Sequence, residues 1–136
     1  MRADIQKYNP EAIAKPLGLY SHVARAKATE YLHIAGQISF NSAGELVGAG
    51  DFEAQMRQIY ANLRAALESA GAGFDSVVKY TTYLTRREHL SEYRRVRNLL
   101  YEDFYPRGSY PPNTLLVVSG LVNDDLLVEI EAVAAI

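Results

Sequence analysis

The stretch Val128-Glu129-Ile130-Glu131-Ala132-Val133-Ala134, near the end of the chain, predicts a β-strand. Side chains alternate along a strand, so Val128 and Ile130 face one side while Glu129 and Glu131 face the other. If that second side is solvated, the two glutamates need no special explanation. If it lies in a contact between chains, burial raises the pKa of a carboxyl group and makes it a better acid or base near neutral pH.

Three more stretches predict strands, at residues 31–40, 76–84 and 114–119, while the strand at the end of the chain spans residues 126–134. A turn over Asn41–Gly44 predicts a hairpin that returns over residues 45–47. The last two strands are joined by the loop Asn123–Asp125 and are therefore candidates for antiparallel pairing.

Two stretches predict helices. Asp51 is a good N-cap, and the apolar residues that follow it recur every three or four positions until Gly71 and Gly73 end the helix. The second helix has Thr85 and Glu88 at capping-box spacing and ends before Pro106. A sheet with two helices is an α+β fold.

The stretch Leu115-Leu116-Val117-Val118 is apolar on both faces of its strand. Two helices cover only one face of such a sheet, and a strand buried on both faces reads as a continuous apolar run. Association with other copies would cover the second face. Loops and the N-terminal segment are the alternative cover.

The length and composition of the chain indicate a globular protein of one domain. The chain has 136 residues, which suits one domain over residues 1–136, and its 49% apolar and 22% charged residues are typical of a globular protein. No apolar run reaches the ~18 residues that cross a bilayer. There is no cysteine, which excludes disulfides and thiolate chemistry. The polar start, residues 1–4, has no signal-peptide pattern, so we expect a cytoplasmic protein without membrane contact.

The sequence carries no clear metal, nucleotide or nucleic-acid motif. The histidines His22, His33 and His89 lack metal-ligand spacing. Gly48-Ala49-Gly50 begins like a dinucleotide loop, but Glu53 stands where the third glycine belongs. The net charge of −2 argues against a broad phosphate-binding surface. The basic cluster on the second helix is interleaved with acidic residues, as in a pair such as Glu92 with Arg95, so a salt-bridged surface is favoured over nucleic-acid binding.

Six segments in order, at matching spacings, resemble the RidA/YjgF family of imine and enamine deaminases over essentially the whole chain. They are Gly18-Leu19-Tyr20-Ser21-His22; Ala35-Gly36-Gln37-Ile38; Gln55-Met56-Arg57-Gln58 with Asn62-Leu63 and Glu68-Ser69-Ala70-Gly71; Val77-Val78-Lys79-Tyr80-Thr81-Thr82-Tyr83-Leu84; Tyr93, Asn98, Tyr101 and Phe104; and Val128-Glu129-Ile130-Glu131-Ala132-Val133-Ala134.

The resemblance implies a chorismate-mutase-like α+β fold, a mixed β-sheet with two helices on one face. It also implies a homotrimer with its sites in three clefts between subunits. Family members hydrolyse reactive 2-imino or 2-enamino acids to 2-keto acids and ammonia, without a metal or cofactor.

One position departs from the family pattern. The family has an arginine for the substrate carboxylate where this chain has Asn113, in Tyr110-Pro111-Pro112-Asn113-Thr114. A guanidinium makes a bidentate, charge-assisted pair with a carboxylate, whereas an amide offers only neutral hydrogen bonds. The difference is worth ~2 kcal/mol or more of binding, so the substrate is not expected to be a typical 2-imino acid. Arg107, in the same loop, is a candidate replacement.

Other positions match the family. Glu129 matches the glutamate that positions the attacking water, Tyr20 matches a tyrosine that lines the cleft, and Asn98 matches a helix asparagine near the site. Thr114 follows the arginine position, where its amide and hydroxyl are candidates to bind a ligand oxygen. We therefore expect a hydrolytic deaminase of an imine or enamine metabolite, with Glu129 as the catalytic residue. A regulatory trimer that binds a small molecule in the same cleft without catalysis is the alternative.

Overall fold

A four-stranded sheet and two helices build most of the chain, of which the structure, a computed structural model, describes residues 2–136. Met1, which opens the polar start noted above, lies outside the described residues. The elements are β1 (Asp4–Tyr8), β2 (Val23–Lys27), β3 (Tyr31–Gln37), α1 (Phe52–Glu68), β4 (Val77–Leu84), α2 (Leu90–Phe104), β5 (Asn113–Val117) and β6 (Val128–Ala135).

The main sheet has the strand order β3-β6-β4-β5, and β1 pairs with β2 in a separate two-stranded sheet. Strand β6 is antiparallel to both neighbours, whereas β5 is parallel to β4. Both helices pack on one face of the main sheet, so the predicted α+β class is confirmed. The opposite face, which carries Tyr83, Thr114, Glu129 and Glu131, is called the open face below.

The predicted pairing of the last two strands is wrong. Strand β4 lies between β5 and β6, so the two are not neighbours. The reason is the connection from β4 to β5 through α2, because a helical crossover places the strand that follows it parallel to the strand before it. The chain between β5 and β6 then passes β4 to reach the middle of the sheet.

Two local predictions also need correction. The returning hairpin strand at residues 45–47 is reduced to a single bridge between Phe40 and Leu46, because the Asn41 side chain accepts the backbone N–H groups of Ala43 and Glu45 and holds the segment as a turn. The capping box at Thr85 is absent, since residues 87–89 form a 3₁₀ turn that leads directly into α2. The predicted N-cap at Asp51 is confirmed, with its carboxylate accepting the Ala54 N–H at 3.1 Å.

The core between the helices and the sheet is rich in buried tyrosines. The Tyr80 and Tyr105 hydroxyls lie 2.8 Å apart, and Tyr105 donates to the Phe74 carbonyl at 3.0 Å. Burial raises the pKa values of Tyr60, Tyr80 and Tyr105 well above the usual range, so these hydroxyls stay neutral. This core holds α2 against β4 and β5.

Gln55 is fully buried on α1, and its side chain connects the loop before β6 to the helix through hydrogen bonds. Its amide nitrogen donates to the carbonyls of Gly48 at 3.0 Å and Asp125 at 2.9 Å, and its amide oxygen accepts the Leu127 N–H at 2.9 Å. The bonds to Asp125 and Leu127 hold the chain just before β6, and the bond to Gly48 holds the loop before α1.

We expect Gln55→Leu to lower the free energy of unfolding by about 2 kcal/mol, because the buried Leu127 N–H and the part-buried Asp125 carbonyl lose this partner, whereas the Gly48 carbonyl keeps the Asp51 N–H. Urea denaturation measures the change. Gln58→Leu is the matched control on the same helix: it removes only a side-chain bond to Asn62, so it should cost less than about 1 kcal/mol. Equal losses in the two variants would contradict the role assigned to Gln55.

Candidate functional site

The Glu129 carboxyl group lies in a small cavity on the open face. The cavity measures about 230 Å³ and is lined by Tyr83, Val118, Gly120, Leu121, Glu129 and Glu131. Strand pairing places Tyr83 of β4 opposite Glu129 of β6. The Tyr83 hydroxyl donates to Glu131 Oε1 at 2.5 Å, so Glu131 has a partner within the chain. Across residues 2–136, no such bond forms to the Glu129 carboxyl group, which is free to act on a ligand.

Gly36 makes room for this carboxyl group. The pairing of β3 with β6 is irregular between Ile34 and Gln37, so Ala35 and Gly36 together stand against one residue of β6. A Cβ atom at position 36 would lie 1.9 Å from Glu129 Oε2, closer than any real contact. The glycine of the Ala35-Gly36-Gln37 segment is therefore required by the position of Glu129.

The environment raises the pKa of Glu129. Partial burial is the larger cause, because it penalises the charged form, and the negative charge of Glu131 adds to it. A carboxylate with a raised pKa is a stronger base than one fully in water, which suits proton transfer near neutral pH. The hydrogen bond to Glu131 also raises the pKa of the Tyr83 hydroxyl.

We expect a carbon-13 NMR titration of the Glu129 carboxyl group to give a midpoint above the ordinary glutamate value, and Glu131→Gln to move that midpoint down. The substitution removes the neighbouring negative charge that favours the protonated form of Glu129. Because the folded state holds this proton more tightly than the unfolded state, Glu129 lowers stability as the pH rises through its ordinary range. Glu45→Gln, at an exposed turn, is the control; an unchanged midpoint in Glu131→Gln would contradict the assigned cause.

Asn113 points away from Glu129. It pairs in register with the buried Tyr80, and its side chain faces the helix layer. Its Oδ1 accepts from the Thr82 hydroxyl at 2.8 Å, and its amide nitrogen donates to the Tyr93 hydroxyl at 3.4 Å. Thr114, the next residue, pairs with Thr81 and is exposed on the open face.

Tyr20 and Arg107 line two further cavities. Tyr20 contributes to a cavity of about 640 Å³ with Gly18 and Tyr110, and its hydroxyl accepts the Leu17 N–H at 3.2 Å. Arg107 is exposed and lines a separate cavity of about 610 Å³ beside Lys7 and the end of α2. The structure therefore does not place Arg107 with Asn113.

Asn98 lies on the exposed side of α2, and its neighbour Arg97 is buried. The Asn98 Oδ1 accepts from Arg97 Nε at 3.3 Å and from Arg97 Nη2 at 3.2 Å. Arg97 was not among the predicted residues, although its spacing along the helix gives one signal of burial. It stands four residues after Tyr93 and four before Tyr101, on the buried face of the helix, where a charged residue is unusual.

The predicted residues thus fall into two groups within one chain. Glu129 and Thr114 are on the open face, whereas Tyr20, Asn98 and Asn113 are associated with the helix layer and the N-terminal loop. One chain does not bring the two groups into a single pocket. The cavity at Glu129, about 230 Å³, is also smaller than the roughly 300–1,000 Å³ of ordinary ligand sites.

Metal and membrane features are absent from residues 2–136. No three His, Cys, Asp or Glu side chains in that range come close enough to hold a metal ion. No helix in it is both long and apolar enough to span a bilayer. The predicted pairing of Glu92 with Arg95 is present at 3.6 Å, and Arg95 also contacts Glu53 at 2.8 Å.

Comparisons with known proteins agree on one family. A family model described as endoribonuclease L-PSP matches residues 10–136. A RutC family protein of Pyrococcus horikoshii is 36% identical over 125 residues, which cover 91% of this chain and 92% of the relative. The structure of a Rid-family protein, YyfB of Yersinia pestis, is similar with a TM-score of 0.85 and 33% identity, covering 97% and 98% of the two chains. RidA of an Antarctic Psychrobacter gives a TM-score of 0.67 and 27% identity, covering 96% and 99%.

Proposed function

The chain belongs to the endoribonuclease L-PSP family, also called RidA/YjgF, and from that premise we propose that it hydrolyses a reactive imine or enamine metabolite to a carbonyl compound and ammonia. The observation that carries the proposal is the Glu129 carboxyl group, which is seated over Gly36 in a cavity and has a raised pKa. Such a group accepts a proton from water more readily than a solvated carboxylate does.

The proposed reaction needs one general base, Glu129, and one water molecule as the nucleophile. Glu129 takes a proton from the water as its oxygen attacks the carbon of the C=N bond, and passes that proton to the nitrogen to give a neutral carbinolamine. Glu129 then takes the proton of the carbinolamine hydroxyl as the C=O bond forms and delivers it to the amino group as the C–N bond breaks. The products are a carbonyl compound and ammonia, and the carboxylate is regenerated.

A complete pocket in this proposal needs a second copy of the chain. The Glu129 group and the Tyr20–Asn98 group lie on different faces, so one subunit supplies the first and its neighbour supplies the second. The exposed Leu116, 41% accessible beside Tyr83 on the open face, supports association of that face. We propose the homotrimer expected from the resemblance, which light scattering with size-exclusion chromatography measures directly.

Asn113 affects which substrates the protein can bind. Its amide is already bonded to Thr82 and Tyr93, so it offers no charge and little free bonding capacity to a carboxylate. The substrate is therefore not held as a typical 2-imino acid is held by the family arginine.

The test is hydrolysis of freshly made imines. An amino-acid oxidase generates 2-iminopropanoate and 2-iminobutanoate in the reaction mixture, and semicarbazide traps the imine that has not been hydrolysed. Because Asn113 replaces the family arginine, we expect an imine without a carboxylate to be hydrolysed faster than these two, with its trapped level well below the level reached without the protein. Absence of any acceleration, for these imines and for uncharged ones, would overturn the deaminase proposal; saturable binding of the keto acid without turnover would then favour the non-catalytic alternative.

A further inference from the structure

Lys7 of β1 lines the cavity of about 610 Å³ at the end of α2. The five residues of β1 alternate in exposure, so Ile5 and Lys7 face this cavity while Asp4, Gln6 and Tyr8 face solvent. The volume lies within the roughly 300–1,000 Å³ of ordinary small-molecule sites. In the described part of the chain, this cavity shares no lining residue with the cavity on the open face, so any function it has is separate.

The Lys7 amino group has few partners for a half-buried cation. Its Nζ donates to the Ser109 carbonyl at 2.9 Å and lies 5.0 Å from the centre of the Tyr105 ring. Among the residues that the structure describes, no carboxylate oxygen comes within 4.0 Å of Nζ. The charge of Asp75 reaches Lys7 only from a longer distance, and that carboxylate is already paired with Arg2 at 2.8 Å.

This environment makes the Lys7 amine a better nucleophile. Burial lowers the pKa of Lys7, because the ammonium form loses hydration, and the charge of Asp75 opposes the shift only in part. A larger fraction of the amine is then neutral, with a free lone pair, and a desolvated neutral lysine is the nucleophile that forms Schiff bases with carbonyl compounds. The other three lysines are all exposed: Lys15, Lys27 and Lys79.

The walls of the cavity carry an excess of positive charge. Two of its arginines are paired with carboxylates, Arg2 with Asp75 at 2.8 Å and Arg64 with Asp103 at 3.3 Å. Arg107 lines the same cavity, and no carboxylate in the described part of the chain lies within 4.0 Å of it. Arg107 and the lysine are therefore the uncompensated cations, and they favour an anionic ligand.

We propose that Lys7 is a covalent site for a small phosphorylated aldehyde, which it binds as a reversible imine. The neutral Nζ attacks the carbonyl carbon, and one N–H proton moves to the carbonyl oxygen to give a carbinolamine. The hydroxyl group then leaves as water with the second N–H proton as the C=N bond forms, and the imine nitrogen takes up a proton from solvent.

The charge of the product favours a phosphate over a carboxylate. The protonated imine at Lys7 and the guanidinium of Arg107 each carry one positive charge in the same cavity. A phosphate monoester carries nearly two negative charges near neutral pH and accepts charge-assisted hydrogen bonds, so it balances both cations. A carboxylate would leave one of them uncompensated.

The test uses glycolaldehyde phosphate and glycolaldehyde, which differ only in the phosphate. Cyanoborohydride reduces each imine to a stable amine, and peptide mass mapping locates it. We expect glycolaldehyde phosphate to label Lys7 about 10-fold faster than the exposed Lys27 on the neighbouring strand, and glycolaldehyde to label Lys7 several-fold more slowly. Lys7→Arg keeps the charge but removes the amine, so the adduct should be lost. Lys27→Arg is the matched control and should keep it.

The pH dependence of labelling tests the state of the amine. The rate at Lys7 should reach half its maximum below the pKa of an ordinary lysine, because burial favours loss of the proton. The charged and titratable groups that line the cavity around this amine are Arg2, Arg64, Asp75, Asp103, Tyr105 and Arg107.

A second variant covers the case in which Lys7→Arg does not fold. Arg107→Gln keeps the amine, so it should slow labelling by glycolaldehyde phosphate several-fold and leave labelling by glycolaldehyde unchanged. Equal labelling of all four lysines would overturn the covalent site, and so would equal rates for the two aldehydes at Lys7. Imine hydrolysis is not measured in this test, so failure of either proposal leaves the other standing.

Discussion

Glu129→Gln is expected to lower kcat for imine hydrolysis by about 100-fold or more, with the fold intact. General-base catalysis by a positioned carboxylate contributes roughly 10²–10⁴-fold, and an amide has no basic lone pair of comparable strength. The shape of the side chain is nearly unchanged, so the cavity and the packing around Gly36 are preserved. Stopped assays of imine consumption, on protein checked by circular dichroism, measure the effect.

The stability of the same variant distinguishes a catalytic from a structural glutamate. Because the pKa of Glu129 is raised by burial and by Glu131, its charge is less favourable in the folded than in the unfolded state at neutral pH. Removing the charge should therefore leave the melting temperature at pH 7 unchanged or higher. Glu102→Gln, on the exposed side of α2, is the control and should keep full activity. A Glu129→Gln protein with wild-type turnover would contradict the mechanism.

Gly36→Ala is the second substitution expected to lower kcat strongly. The added methyl group would overlap Glu129 Oε2 at 1.9 Å, and its three nearest neighbours all belong to the Glu129 side chain. A flexible side chain moves away from such a clash at a cost of about 1 kcal/mol, but a misplacement of about 1 Å at a reacting group lowers the rate roughly 10²-fold. We therefore expect kcat to fall about 100-fold, with only a small loss of stability.

A double-mutant cycle isolates this contact. In a Glu129→Ala background the clash partner is gone, so Gly36→Ala should no longer affect stability, and the two changes should be non-additive. Gly73→Ala is the matched control, because its Cβ would meet only the end of the Asp75 side chain at 3.1 Å. Additive effects of the substitutions at positions 36 and 129 on the free energy of unfolding would show that Gly36 acts elsewhere.

Local patterns were sufficient to predict both helices and the four strands of the main sheet. The 3.6-residue period after Asp51 predicted α1 nearly to its ends, and the alternation from Val128 predicted β6 with both glutamates on one face. These predictions succeeded because helix and strand periodicities are short-range properties of the chain. Strands β1 and β2 were missed because both are five residues long and carry little apolar alternation.

The candidate site also combines features that the local sequence predicts with features that depend on tertiary contacts. Residue type and strand alternation were enough to select Glu129, whose chemistry depends on a carboxyl group on a defined face. The strand order, the irregular pairing that brings Gly36 under that carboxyl group, and the direction of Asn113 toward Tyr93 depend on contacts between residues far apart in the chain. Arg97 shows the same limit: its residue type suggests a surface cation, and only the packing of α2 against the sheet buries it, with Asn98 Oδ1 and the Tyr93 ring as its contacts.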